Sequence, residues 1–384
     1  MIKNFKITFV IFILITIFIY LYLDKITINI EKINIINTKL NPSTVITPVL
    51  DSKIYSNENI IYCSTAQLAW NSLYNDLLKE TIEIENQPWY VNKLNDMIKI
   101  PQQISNDSYI ALAGSGKDKI IDKIKTELTQ KFPQTLNFEF PKISDNHIIA
   151  FAYLIKNLNF KEKFDTFYSD MTFNNISRPI KSFGFINIIS NKDNNSIKSQ
   201  VKLLHFQKDN NFIIELITKS SADSILLSTI KPESTLLESY NHITSLINQS
   251  NKSLNQFNDS SDFIKTLKIP KINFSVKHEF IELKGKNFKN IKFKEYRFID
   301  AFQYIKFKLN ESGAQLESYS KFGTQGNSAI SALEVNGPFT LIIKSKNSLQ
   351  PYFMAYFGND DLLERKQNII ELINNSMSPT EATH

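Results

Sequence analysis

Two short blocks near the C-terminal end, separated by a long polar interval, constrain this chain more than any other feature. The first, Ile305-Lys-Phe-Lys-Leu-Asn-Glu-Ser-Gly313, alternates Ile305, Phe307 and Leu309 with Lys306, Lys308 and Asn310. That period of two belongs to a half-buried strand. Gly313 ends the block, and a glycine takes up backbone bends that other residues resist. The second block holds two apolar runs, Gly337-Pro-Phe-Thr-Leu-Ile-Ile343 and Pro351-Tyr-Phe-Met-Ala-Tyr-Phe-Gly-Asn359. From Gly313 to Pro338 is an interval of 25 positions. A connection of that length inside a compact domain is usually functional or disordered.

The order of strand, Glu-x-Gly hinge, long loop, Pro-Phe strand and final Phe-Met strand resembles the reactive-loop end of a serpin. Upstream stretches follow the family order more faintly. Lys268-Ile-Pro-Lys-Ile-Asn-Phe274 resembles the strand before the hinge. Ile148-Ile-Ala-Phe-Ala-Tyr-Leu-Ile-Lys156, with Phe160 to Phe164 and Met171-Thr-Phe173, is similar to the central strand and its following turn. Tyr62-Cys-Ser-Thr-Ala-Gln-Leu-Ala-Trp70 occupies the place of the helix at the family's shutter. The resemblance implies an α+β fold, serpin-like, with several β-sheets, surrounding helices and an exposed reactive loop in a single large domain over residues 59–359. It implies a hinge at Glu311, Gly313, Ala314 and Gln315, a reactive loop over 313–337, and a scissile bond at Asn327-Ser328. Its partner would be a target protease of the serine or cysteine class, trapped when the cleaved loop inserts as a new strand.

Insertion requires alternation, and after the hinge the inward set would be Ala314, Leu316, Ser318, Ser320 and Phe322. Leu316, Glu317 and Tyr319 depart from the run of small residues that inhibitory members carry there. Phe151 stands where the family has Asn, and Ala355 where it has Gly. These departures favour the alternative of a non-inhibitory binding or structural protein on the same fold.

Composition is compatible with one large core: 384 residues, 42% hydrophobic, with 9 Gly and 12 Pro. The net charge of +6 is a mild excess and does not by itself imply nucleic acid. A single cysteine, Cys63, excludes an internal disulfide and reads as a buried small residue. The uncharged run from Ile7 to Leu23 follows Lys3 and Lys6 and precedes Asp24-Lys25 with no small-residue cleavage site. We expect a membrane anchor over 1–24 rather than a cleaved signal, placing the body on the exported side. Residues 25–58 are expected to form an extended surface tether, and 360–384 a helical tail with Leu363, Ile369, Ile370 and Ile373 on one face.

Elsewhere the pattern predicts a helix over Lys117 to Phe132, with Ile120, Ile121, Ile124, Leu128 and Phe132 on one face and Pro133 as its stop. It also predicts paired strands at Phe212–Leu216 and Ser224–Ser228, and a helix over Leu236–Leu254. Catalytic and metal constellations are not legible, so the chain reads as neither an enzyme nor a cofactor or metal protein. His147, His205, His242, His278 and His384 sit in no ligand or nucleophile spacing. Gly114-Ser-Gly-Lys117 lacks the earlier glycine of a phosphate loop and has Asp118 where Ser or Thr would meet magnesium, so it reads as a strand-to-helix turn. Lys284, Lys286, Lys289, Lys292, Lys294 and Arg297 interleave with Phe288, Phe293 and Tyr296. That stretch reads first as a strand with a solvated lysine face, and second as a surface for an anionic polymer or lipid headgroups.

Overall fold

Strands that are apolar at every position need cover on both faces, and the C-terminal strands meet that demand. A computed structural model describes residues 43–100, 104–133, 140, 142–174, 176–186, 194–208, 210–254, 264–298, 301–314 and 332–366. All of them belong to one compact unit, Leu40–His384. Its largest sheet has seven strands in the order β1 (Thr44–Thr47), β2 (Asn59–Cys63), β18 (Phe353–Phe357), β17 (Phe339–Ser345), β10 (Asp223–Ser228), β9 (Asn211–Leu216) and β8 (Val201–Gln207). All pairs are antiparallel except β1 with β2. Leu341, Ile343, Phe353 and Ala355 point into the main core, while their neighbours Ile342, Met354 and Tyr356 pack with Leu236, Tyr240 and Ile243. Those last three lie on a helix at Leu236–Leu254. The paired strands expected at Phe212–Leu216 and Ser224–Ser228 are β9 and β10, in register from Ile213↔Ser228 to Leu216↔Ile225.

Three smaller sheets surround this one. β16 (Ala332–Glu334), β11 (Thr266–Pro270), β7 (Ile176–Ile186) and β6 (Asp165–Phe173) form the first. β12 (Ile272–Glu279) pairs with β14 (Phe302–Leu309) over eight residue pairs. β13 (Arg297–Phe298), β4 (His147–Leu154) and β3 (Tyr109–Ser115) form the third. A final two-residue ladder joins β15 (Gly313–Ala314) to β5 (Leu158–Asn159). The helices are α1 (Thr65–Ser72), α2 (Trp89–Met97), α3 (Ile120–Lys131), α4 (Asn194–Lys198) and α5 (Leu236–Leu254). The α+β class expected from the sequence is the class observed.

The predicted helix at Lys117–Phe132 is α3, with Ile120, Ile124 and Leu128 buried against Ile110 of β3. In the preceding Gly-Ser-Gly-Lys segment, Gly114 and Ser115 end β3, and the turn into α3 begins at Gly116. Asp118 Oδ2 accepts from the Ser115 amide at 3.2 Å and from its hydroxyl at 2.6 Å, and those bonds hold the carboxyl below its usual range. A side chain at Gly116 would lie 2.3 Å from the Ser144 carbonyl.

Three expectations need correction. Within the segment expected as a surface tether over 25–58, the part from residue 43 is built into the fold: β1 pairs with β2, and Val49 and Leu50 are buried. β1 holds because Ile46 reaches the main core and the Asn59 Nδ2 donates to Thr44 Oγ1. In the tail expected as helical over 360–384, Leu363 and Arg365 make isolated bridges to Ile272 and Ile180, and Leu362 and Leu363 are buried. Sheet edges capture those residues before a helix turn can form; Ile369, Ile370 and Ile373 lie outside the described residues. Finally, the lysine-rich stretch is not a strand with a solvated face. It is a series of turns with a 3₁₀ turn at Ile291–Phe293, because Phe280, Leu283, Phe288 and Phe298 anchor it at spacings that fit no single strand.

Candidate functional site: a gap between two strands closed at its ends

β4 and β14 both line one cavity, and among the described residues no ladder joins them. They are linked at both ends. At the base, β13 leads into β14 and pairs in parallel with His147 and Ile148 of β4. At the far end Gly313 bridges both sides, pairing with Asn159 and making reciprocal amide-to-carbonyl bonds of 3.1 Å with Asn310. Between these closures lies a cavity of about 170 Å³. Ala66, Ala69 and Trp70 of α1 border it, with Ala150 and Ala152 of β4 and Gln303 of β14. α1 starts at Thr65, so Tyr62 and Cys63 of the expected shutter helix belong instead to β2.

Gln303 ties the gap to the helix. It is buried, and its Nε2 donates to the Cys63 carbonyl at 2.9 Å and to Thr65 Oγ1 at 2.6 Å, while its Oε1 has no hydrogen-bond partner among the described residues. Cys63 itself is buried in the main core, and burial pushes its thiol up.

The segment expected as the hinge is a tight reversal. Ser312 donates its amide to Asn310 Oδ1 at 2.9 Å, the Ser312 carbonyl accepts from the Phe160 amide at 3.0 Å, and the Glu311 carbonyl accepts from the Phe164 amide at 2.9 Å. Gly313 has φ +129°, and a Cβ there would lie 2.4 Å from the Leu158 carbonyl oxygen. Only glycine fits. Ala314 follows as a fully packed member of the main core. Gly313 and Ala314 form a two-residue ladder with Asn159 and Leu158, and the residues after Ala314 lie outside the described residues.

Glu311 holds the reversal electrostatically. Its Oε2 lies 2.5 Å from Lys271 Nζ and its Oε1 3.7 Å from Lys163 Nζ. Both Glu311 and Lys271 side chains are about nine-tenths buried. Burial alone would raise the carboxyl, but the Lys271 hydrogen bond, the bond from its own amide and the two lysine charges outweigh it and hold Glu311 below the usual glutamate range. Sequence reasoning missed Lys271 and Lys163. A signal existed in Lys271, a cation set between Pro270 and Ile272 where the strand pattern is otherwise buried.

Of the expected site residues, the structure brings Glu311, Gly313 and Ala314 together at one end of the gap. Gln315 and the Asn327-Ser328 bond lie outside the described residues. Ser250 Oγ approaches His205 Nδ1 at 2.7 Å, but the buried Nε2 on the other side of that ring has no acceptor to orient it as a catalytic base. Among the described residues, no group of three or more His, Cys, Asp or Glu side chains is placed to hold a metal ion.

No protein-family model matches the sequence, and no curated protein matches it. Among solved structures the chain is similar to Serpin48, a serpin of the insect Tenebrio molitor, at 11% identity, over 80% of this chain and 92% of that one, with a TM-score of 0.43. It is similar to the thermophilic serpin tengpin in its native state at 11% identity, over 80% and 90%, with a TM-score of 0.44. Mouse protein Z-dependent protease inhibitor matches at 10% identity, over 78% and 91%, with a TM-score of 0.46.

Proposed function

We propose that the protein is a serpin-like protease inhibitor that acts by cleavage and insertion of the loop between Gly313 and Gly337. The observation that carries this reading is the gap between β4 and β14, with Gly313 and Ala314 already laid against Asn159 and Leu158 at its end. The direction of β15 is antiparallel to β5 and hence to β4. A strand continued in that register would set Leu316 opposite Lys156, Ser318 opposite Leu154, Ser320 opposite Ala152 and Phe322 opposite Ala150. Leu154 and Ala152 pack toward the main core, whereas Ile149, Phe151 and Tyr153 pack toward α3. The inward set starting at Ala314 is therefore the parity that the core side of β4 favours.

Incubation of the full chain with serine and cysteine proteases tests this. An SDS-stable complex with a protease cut at or near Asn327-Ser328 is the expected outcome. Clean cleavage without a complex would overturn inhibition and leave the alternative, a non-inhibitory protein of the same architecture, which the bulk of Leu316, Glu317 and Tyr319 favours.

In this reading the protein is held at a membrane by residues 1–24 with its body exported. Ile7–Leu23 lies outside the described residues, and no helix of the described residues is long and apolar enough to cross a membrane. Mass spectrometry of the mature protein should find residues 1–24 retained; a start between Asp24 and Ser43 overturns the anchor.

A further inference from the structure

Residues 281–297 carry six basic side chains against Glu282 and Glu295, a net +4 within a chain whose total is +6. None of the six takes part in an ion pair: the ten salt bridges among the described residues leave out Lys284, Lys286, Lys289, Lys292, Lys294 and Arg297. The segment is also held firmly. Its two arms pair, with the Phe288 amide donating to the Tyr296 carbonyl, the Phe298 amide to Lys286 and the Gly285 amide to Phe298, at 2.7 to 3.2 Å. The loop between the arms is bolted down by buried Asn290, whose side chain donates to the Thr81 carbonyl at 2.9 Å and accepts from the Glu83 amide at 3.0 Å.

At the tip of that fixed loop stands Ile291, 83% exposed, with Lys289, Lys292 and Lys294 exposed around it. The adjoining turn presents a second bare aliphatic, Ile281, at 71% exposure and beside Lys284. A lone surface isoleucine is ordinary. A rigid loop that holds a nearly bare isoleucine among three unpaired lysines has the composition of a surface that enters a lipid interface, the aliphatic tip reaching the acyl boundary and the lysines meeting anionic headgroups.

We propose that this loop docks on an anionic lipid surface. A soluble polyanion would satisfy the lysines equally but has no use for Ile291 and Ile281, and on that ground the lipid is the better partner. The inference does not depend on protease inhibition.

The test uses the full chain with Ile291→Cys carrying an environment-sensitive fluorophore; Cys63, the only native cysteine, is buried and leaves position 291 as the labelling site. The protein is reconstituted into vesicles of phosphatidylcholine alone or with phosphatidylserine. We expect a blue shift and protection from aqueous quencher on the phosphatidylserine vesicles, reversed by 0.5 M salt. Lys→Gln at 284, 289, 292 and 294 should lower the docked fraction, by about fivefold in partitioning per lysine. A label that stays in water on both vesicles, or one that shifts equally on both, overturns the proposal. A label in water on vesicles combined with lysine-dependent binding of heparin also overturns it and reassigns the loop to soluble polyanions.

Discussion

β14 alternates apolar and polar residues while β17 is a buried apolar run, and the surroundings of these two strands near the C-terminal end differ in kind. β17 has a full ladder on each side, to β10 and to β18, and both of its faces are buried. β14 has a full ladder only to β12, and its other side faces the gap toward β4. The large sheet is laddered on both sides of β17, whereas a cavity of about 170 Å³ lies between β4 and β14. The proposed insertion assigns stability to the first region and conformational change to the second.

The largest test of that contrast is loop cleavage. Proteolysis within Thr324 to Ala329 should raise the melting temperature by roughly 10 °C, if about nine new ladder positions contribute ~1 kcal/mol each. Calorimetry before and after nicking reads this, and an unchanged or lowered melting point would show the gap to be inert. Side-chain volume should separate the two regions next. Leu341→Ala, in the closed sheet, should cost about 3 to 4 kcal/mol in urea unfolding. Ala152→Val, bordering the cavity, should cost less than ~1 kcal/mol. Equal costs would erase the distinction.

At the joined end, Glu311→Gln leaves Lys271 buried without its charge partner and should cost about 3 kcal/mol. The pH dependence has a definite sign. The folded value of Glu311 lies below the ordinary 4.5, so its contribution is present above that value and is lost as pH falls through the lower, folded one. Acid unfolding curves of the Gln variant should therefore be flatter below about pH 4.5; parallel curves would remove the ion pair from the account. Gly313→Ala should cost about 1 to 3 kcal/mol, from the positive φ and the contact with the Leu158 carbonyl. Hydrogen exchange at the Phe160 amide, which pairs with Ser312, should quicken in this variant while the β17 amides stay protected.

Much of the fold was legible because it depends on periodicity. α3, α5, β9, β10, β17 and β18 fall where the apolar spacing of two or 3.6 puts them. β1 and the bridges at Leu363 and Arg365 were not legible, since an edge pairing depends on the partner strand being present, and the local residues read equally well as tether or helix. The lysine-rich segment misled for the opposite reason: its Phe and Lys alternate as in a strand, but Phe280, Leu283, Phe288 and Phe298 serve as anchors of successive turns in one cluster.

The sequence by itself marked Gly313 as a backbone bend after an alternating strand, and it marked the apolar runs of β17 and β18 as buried. Only the tertiary structure decided that a gap lies between β4 and β14, that Glu311 is held by Lys271 and Lys163, and that Ile291 stands bare on a fixed loop. Each of those depends on residues brought together from positions 40 to 150 or more apart in the chain, or on anchoring by such residues, and a local pattern holds no information about which distant edge, charge or cavity it will meet.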